Sequence, residues 1–282
     1  MNLTRRDLLR LGAGAAALWT TAAPTALWGA AGSTKKIPIA LQLYSLRSIL
    51  EKDVPGTLTA VGQMGYQGVE FAGYYGRKAR ELRQMLDQSG LKCCGTHTAL
   101  ETLTGNALKG TVEFNQTLGN KFLIVPWLPP SITTSLAALI DSAKLLTDLA
   151  DKVHDLGMRV GYHAHAHDFK PVADRIPWEV LFTNAGPDVV MQMDIGNCLD
   201  GGGDPVAELK KFPHRSATIH LKEHGGPQGA VIGQGDVPWK EIFQVCETTG
   251  GTEWYIVEQE SYRGSPLESV KLCLENLHKM GK

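Results

Sequence analysis

The sequence predicts a (β/α)8 barrel over residues 34–282, an α/β fold of eight parallel strands each followed by a helix. Three observations carry the expectation. Eight short apolar runs alternate with amphipathic stretches, with no break in composition between them. No G-x-G-x-x-G follows the first run, as an open dinucleotide-binding sheet would require. The last four runs all stop on residues able to bind a metal or move a proton, and barrel enzymes keep their chemistry at the C-terminal ends of strands.

The runs are 37–43, 68–71, 91–95, 122–125, 158–162, 189–193, 217–221 and 254–257. Each gives way to a loop opening on polar or glycine residues, then to a helical pattern. The clearest helices are 136–156, with apolar residues at three and four spacing, 205–211, 239–249 and 266–280. Strands separated by helices pair in parallel through right-handed crossovers, and eight such units close a barrel. The length of 282 residues with 43% hydrophobic residues fits one large core.

Residues 1–33 stand apart. Arg5 and Arg6 precede Asp7-Leu8-Leu9, an apolar stretch from Leu11 to Leu27 and small residues at Gly29, Ala30, Ala31 and Gly32. That pattern reads as a twin-arginine-type export signal, which implies the export machinery as a partner and a periplasmic destination. Lys plus Arg number 28 and Asp plus Glu 29, a net charge of −1, so no basic surface exists to hold a nucleic acid. The five cysteines, Cys93, Cys94, Cys198, Cys246 and Cys273, have no C-x-x-C spacing and read as buried thiols.

The fifth run ends in Tyr162-His163-Ala164-His165-Ala166-His167-Asp168, the sixth in Met193-Asp194, the seventh in Ile219-His220-Leu221-Lys222 and the eighth in Val257-Glu258-Gln259-Glu260. Imidazoles and carboxylates on four consecutive strand ends suit one divalent ion, Mn²⁺, Co²⁺, Zn²⁺ or Mg²⁺, with positions left open for substrate oxygens. The competing reading is a hydrogen-bonded polar lining of a sugar pocket. Side chains two apart share a strand face, so His163, His165 and His167 all qualify on position alone.

These segments, with Gln42-Leu43-Tyr44-Ser45-Leu46-Arg47, Asp194-Ile195-Gly196-Asn197 and Gly233-Gln234-Gly235-Asp236, resemble the xylose-isomerase-like barrel superfamily, in particular its sugar phosphate isomerase/epimerase branch. The resemblance spans nearly all of 37–280. It implies a metal held by His163, Asp194, His220 and Glu258. It also implies proton abstraction next to a carbonyl of a sugar or keto-sugar, with a metal-stabilised enediolate. Well-studied ketose epimerases of the superfamily carry Glu at the fifth-strand position, and here it is His163. Inosose dehydratases and enzymes that cleave 3-keto-glycosides resemble this arrangement and perform eliminations, so a lyase stands beside the isomerase or epimerase reading.

Within that frame Glu258, Lys222 and His165 are the expected catalytic groups, Lys222 as a donor or as a base if desolvation lowers its pKa. A salt bridge from Lys222 to Glu223 or Glu260 is the alternative. Glu70, His97, Tyr44, Trp127 and Arg47 are expected to contact substrate: Glu70 and His97 at hydroxyls, the two aromatic rings as stacking faces. Arg47 either pairs with an anionic group or caps its loop. Gly201-Gly202-Gly203-Asp204 reads as a mobile loop near the site. Phosphorylated sugars are mostly intracellular and no second anion site is visible, so a small unphosphorylated carbohydrate is expected. A sugar-binding barrel without catalysis and a metal-dependent endonuclease are competitors from other classes. All four ligand types and Lys222 speak against the first, and the absence of a basic rim against the second. A homo-oligomer stays open.

Overall fold

The computed structural model describes residues 36–282, so the expected export signal lies outside the described residues. Eight strands are present: β1 Ile39–Gln42, β2 Gly68–Phe71, β3 Lys92–His97, β4 Phe122–Val125, β5 Arg159–His163, β6 Val190–Gln192, β7 Thr218–Leu221 and β8 Trp254–Val257. All registered pairs are parallel, in the order β6-β5-β4-β3-β2-β1-β8-β7. Between β6 and β7 the sheet closes through an Asp194–His220 bridge, with His220 N–H donating to Met193 O and Met191 N–H to Arg215 O, each at 2.8 Å. The barrel seam therefore runs through two of the expected metal ligands.

β3 continues past the expected run, through Thr96 and His97, which pair with Leu123 and Ile124 of β4. Their polar side chains hid the strand's end from an apolar count. The helices that matter for the site are α1 Val54–Met64, α2 Ala79–Gln88, α3 Ala107–Leu118, α4 Leu136–His154, α5 Pro177–Asn184, α6 Ile195–Asp200, α7 Pro205–Lys211, α8 Trp239–Thr248 and α9 Pro266–Lys279. Five of them start on Asp or Ser whose side chain accepts from the first turn: Asp53, Ser135, Asp194, Asp204 and Ser265. Such caps satisfy amide groups that the helix leaves unpaired. Asp204, expected in a mobile loop, is one of them, and a Cβ on Gly201 would come within 2.3 Å of Ala166 O. That glycine stretch is packed against the loop after β5.

The barrel interior has two levels. Its lower part is filled by two apolar groups, Phe122, Ile124, Val190 and Ala217 in one and Ala40, Cys94 and Ile256 in the other, with Trp254 against both. Above them, at the C-terminal ends of the strands, the inward residues turn polar, from Gln42 and Glu70 to Gln192 and His220, and all four are fully buried. The apolar plug fixes the backbone, and the polar layer inherits its rigidity. All five cysteines are free and buried, as the sequence predicts.

Candidate metal centre

His163 ends β5, Asp194 follows β6, His220 sits inside β7 and Glu258 follows β8. Each offers one ligand atom, all four atoms lie within 4.8 Å of one another, and all four residues are buried. Asp194 is held by its capping role: Oδ1 accepts from Asn197 N–H at 2.8 Å. Its Oδ2 is buried with no hydrogen-bond partner. An unpaired buried carboxylate oxygen costs roughly 1–3 kcal/mol or more, yet this one stands 3.9 Å from His220 Nδ1. Two imidazoles, two carboxylates and an orphaned oxygen within one small volume fit a divalent ion of borderline or hard character.

Beneath the cluster lies a further carboxylate, that of Glu70. Glu70 is fully buried, and both its oxygens are used. Oε2 lies 2.6 Å from His220 Nε2 and accepts from Gln42 Nε2 at 2.7 Å, while Oε1 accepts from Gln192 Nε2 at 2.8 Å. Gly95 makes this position available, since a Cβ there would sit 2.3 Å from Glu70 Oε1. Both oxygens of Glu70, expected to contact sugar hydroxyls, are thus engaged by His220 and the two amides. Gln192 contacts two further rings, its Oε1 lying 3.1 Å from His163 Nδ1 and 3.1 Å from His97 Nε2. Sequence reasoning missed Gln42 and Gln192 as site residues. The available signal was a lone amide at an inward position of an otherwise apolar run.

The charges follow from burial and pairing. Burial disfavours a charged His220, but Glu70 and Glu258 outweigh it and push its pKa up to about 10. Burial likewise opposes ionisation of Glu258, whose contact with His220 Nδ1 at 2.6 Å nevertheless brings it down to about 2. Asp194 goes the other way, up to about 7, because burial and the charge on Glu258 outweigh Lys222 and His220. His163 is pushed well below its ordinary value by burial and by neighbouring His220 and His97. It is thus a neutral imidazole, the form that binds a metal.

His165 stands edge-on to His163, ring centres 4.9 Å apart, with a buried Nδ1 that has no partner. Burial, with His167 adding to it, lowers its pKa to about 4. His167 stacks on His165 with a side chain 38% exposed. Lys222 donates to Glu260 Oε2 at 2.5 Å and to Asn197 Oδ1 at 3.0 Å. Burial alone would lower its pKa, but Asp194, Glu258 and Glu260 raise it above the ordinary value, which favours the ammonium form over a base. His97 joins the polar layer, 3.3 Å from Glu70 Oε2. Tyr44 and Trp127 stand exposed, at 43% and 51%, in the loops after β1 and β4. Arg47 lies over the Tyr44 ring, 4.3 Å from its centre, and donates to Tyr44 O at 2.9 Å, so it caps its loop.

Several known proteins are similar to this chain. The chain is 25% identical over 246 residues to an inosose dehydratase of Lacticaseibacillus casei, covering 72% of this chain and 82% of that protein. A solved sugar phosphate isomerase/epimerase from Parabacteroides distasonis superposes with a TM-score of 0.76 at 26% identity, over 86% of this chain and 98% of the other. The solved IolI protein, with a zinc atom bound, shares the fold with a TM-score of 0.65 at 13% identity, over 86% and 97%. Residues 58–280 match the xylose isomerase-like TIM barrel family, and the chain belongs to it.

Proposed function

We propose that the protein is a metal-dependent lyase that removes the proton beside a ketone of a sugar or cyclitol and expels the substituent on the next carbon. The observation that carries this reading is the pairing of Lys222, a fixed ammonium donor, with a cluster whose fifth-strand member is the neutral imidazole of His163. Proton exchange on both faces of a substrate calls for a second carboxylate there, and elimination calls for one base and one acid.

His163, Asp194, His220 and Glu258 would hold the ion. A divalent ion bound by them supplies positive charge beside the substrate carbonyl. Glu258, ionised, or His165, neutral with a free Nδ1, takes the proton from the carbon next to the ketone. The electron pair left behind forms the new carbon–carbon double bond as the bond to the neighbouring oxygen substituent breaks. Lys222 gives that departing oxygen its proton. Water or an alcohol leaves, and no oxidant is needed. Likeness to an inosose dehydratase over most of both chains supports this choice.

The second reading, isomerase or epimerase, is favoured by the likeness to the Parabacteroides distasonis structure. Both begin with the same proton removal and differ in whether the proton returns. In deuterated water, metal-loaded protein given inososes and 3-keto-glucosides should yield a dehydrated ring or a free alcohol, followed by proton NMR. Deuterium uptake with every substituent retained would select the isomerase, and no uptake with any ketone would overturn both readings. The paired Arg5 and Arg6 support export of the folded protein, so that the substrate is met outside the cytoplasm.

A further inference from the structure

A cleft of about 370 Å³ opens on the barrel mouth between the loops after β2 and β3 and the first half of α3. Its walls include Tyr74, His97, Thr102, Ala107, Gly110 and Phe114. His97 belongs to the metal centre as well: its ring lies 4.8 Å from that of His163, and its Nε2 is 3.1 Å from Gln192 Oε1. The His97 imidazole thus borders both the cleft and the centre.

The chemistry of the cleft is apolar and flat. Tyr74 and Phe114 form an aromatic wall, ring centres 4.2 Å apart and tilted by 35°. The Tyr74 hydroxyl accepts from Asn115 Nδ2 at 3.2 Å. The threonine hydroxyls turn to their own backbone, Thr111 to Thr102 O and Thr102 to Ala99 O, both at 2.7 Å. No Lys, Arg, Asp or Glu lines it, so it offers nothing to a phosphate. Gly110 is the fourth residue of α3, where glycine weakens the helix, and a Cβ there would meet no atom within 4 Å. The position is exposed, so a larger side chain there has room to extend over the cleft. The volume suits one or two fused rings, at the lower end of the roughly 300–1,000 Å³ of small-molecule sites.

We infer that the cleft binds a planar aryl substituent carried by the substrate ring, which makes aryl glycosides, oxidised to the ketone, the substrate class. The inference rests on the lyase reading for the reaction but not for the binding. Phenyl and methyl β-D-glucoside, which lack the ketone and are not turned over, separate the two. Calorimetry with the metal-loaded protein should give a phenyl glucoside affinity at least tenfold above that of the methyl compound. Gly110→Leu, which fills the cleft from an exposed position, should abolish that difference, and Gly110→Ala should leave it. Ala107→Leu serves the same purpose if Gly110→Leu does not fold. Equal affinity for the two glucosides, or a preference untouched in the folded leucine variant, would overturn the inference. Failure of elimination in the ketone assay, with the phenyl preference intact, would instead sink only the reaction.

Discussion

Glu70 Oε2 lies 2.6 Å from His220 Nε2, and this contact leaves the other ring nitrogen, Nδ1, to face Glu258 and Asp194. A histidine with one nitrogen committed to a buried carboxylate has its tautomer and its angle decided before any ligand arrives. Glu70→Gln should therefore keep the fold, since Gln42, Gln192 and Gly95 still shape the position, while weakening metal affinity by roughly 10–100-fold. Competition titration against a metal chelator measures it. Affinity equal to that of the unaltered protein would show that Glu70 does not orient the ligand.

Glu258→Gln removes one ligand charge and retains the volume. The folded variant should purify without the ion, and His220→Ala should do the same if it folds despite leaving Glu70 and Glu258 unpaired in the interior. Elemental analysis of both variants decides the matter. Full metal content in each would reject the four-residue site.

The clustering of the four strand-end residues was legible because a parallel barrel brings consecutive strand ends to one mouth, whatever the intervening loops do. The burial of Glu70 has a local geometric cause that no residue count shows. The register of β2 against β3 shifts between Val69 and Glu70, and with Gly95 opposite, the side chain lies beneath His220. Gln42 and Gln192 sit in short apolar strands where a single polar residue carries no phase of its own. A salt bridge from Lys222 to Glu223 or Glu260 was the alternative to its catalytic role, and the Glu260 contact is present. Asn197 was not anticipated, because its reach to Lys222 depends on how Asp194 starts α6.

Away from the mouth, Glu208 of α7 makes stability depend on pH. Burial and the nearby Glu179 carboxylate push its pKa up to about 7 from an ordinary value of 4.5. The folded state then binds a proton more tightly than the unfolded chain, so this group's contribution is fully present below about pH 4.5 and is lost as pH rises through about 7. Glu208→Gln should raise stability at pH 8 by on the order of 1 kcal/mol, a figure reduced for the residue's partial contact with solvent, and should change it little at pH 4. Thermal melts of both proteins at the two pH values test the sign. A variant equally destabilised at both would show that the carboxyl is a net contributor to the fold.

Lys222 separates elimination from simple proton exchange. Its ammonium is fixed by Glu260 and Asn197 on the same strand face as His220, yet it is no part of the four-ligand cluster. Lys222→Met should retain the ion and still exchange the proton beside the ketone with solvent. Product release should slow by roughly 10²–10⁴-fold, the usual contribution of a positioned acid. The loss should shrink as the departing alcohol becomes more acidic, because a good leaving group needs no proton in the transition state. Rates for a series of aryl keto-glucosides, set against deuterium uptake by the same samples, supply the comparison. An equal loss across the series, with exchange lost in parallel, would move Lys222 from the departing oxygen to the carbonyl side of the substrate.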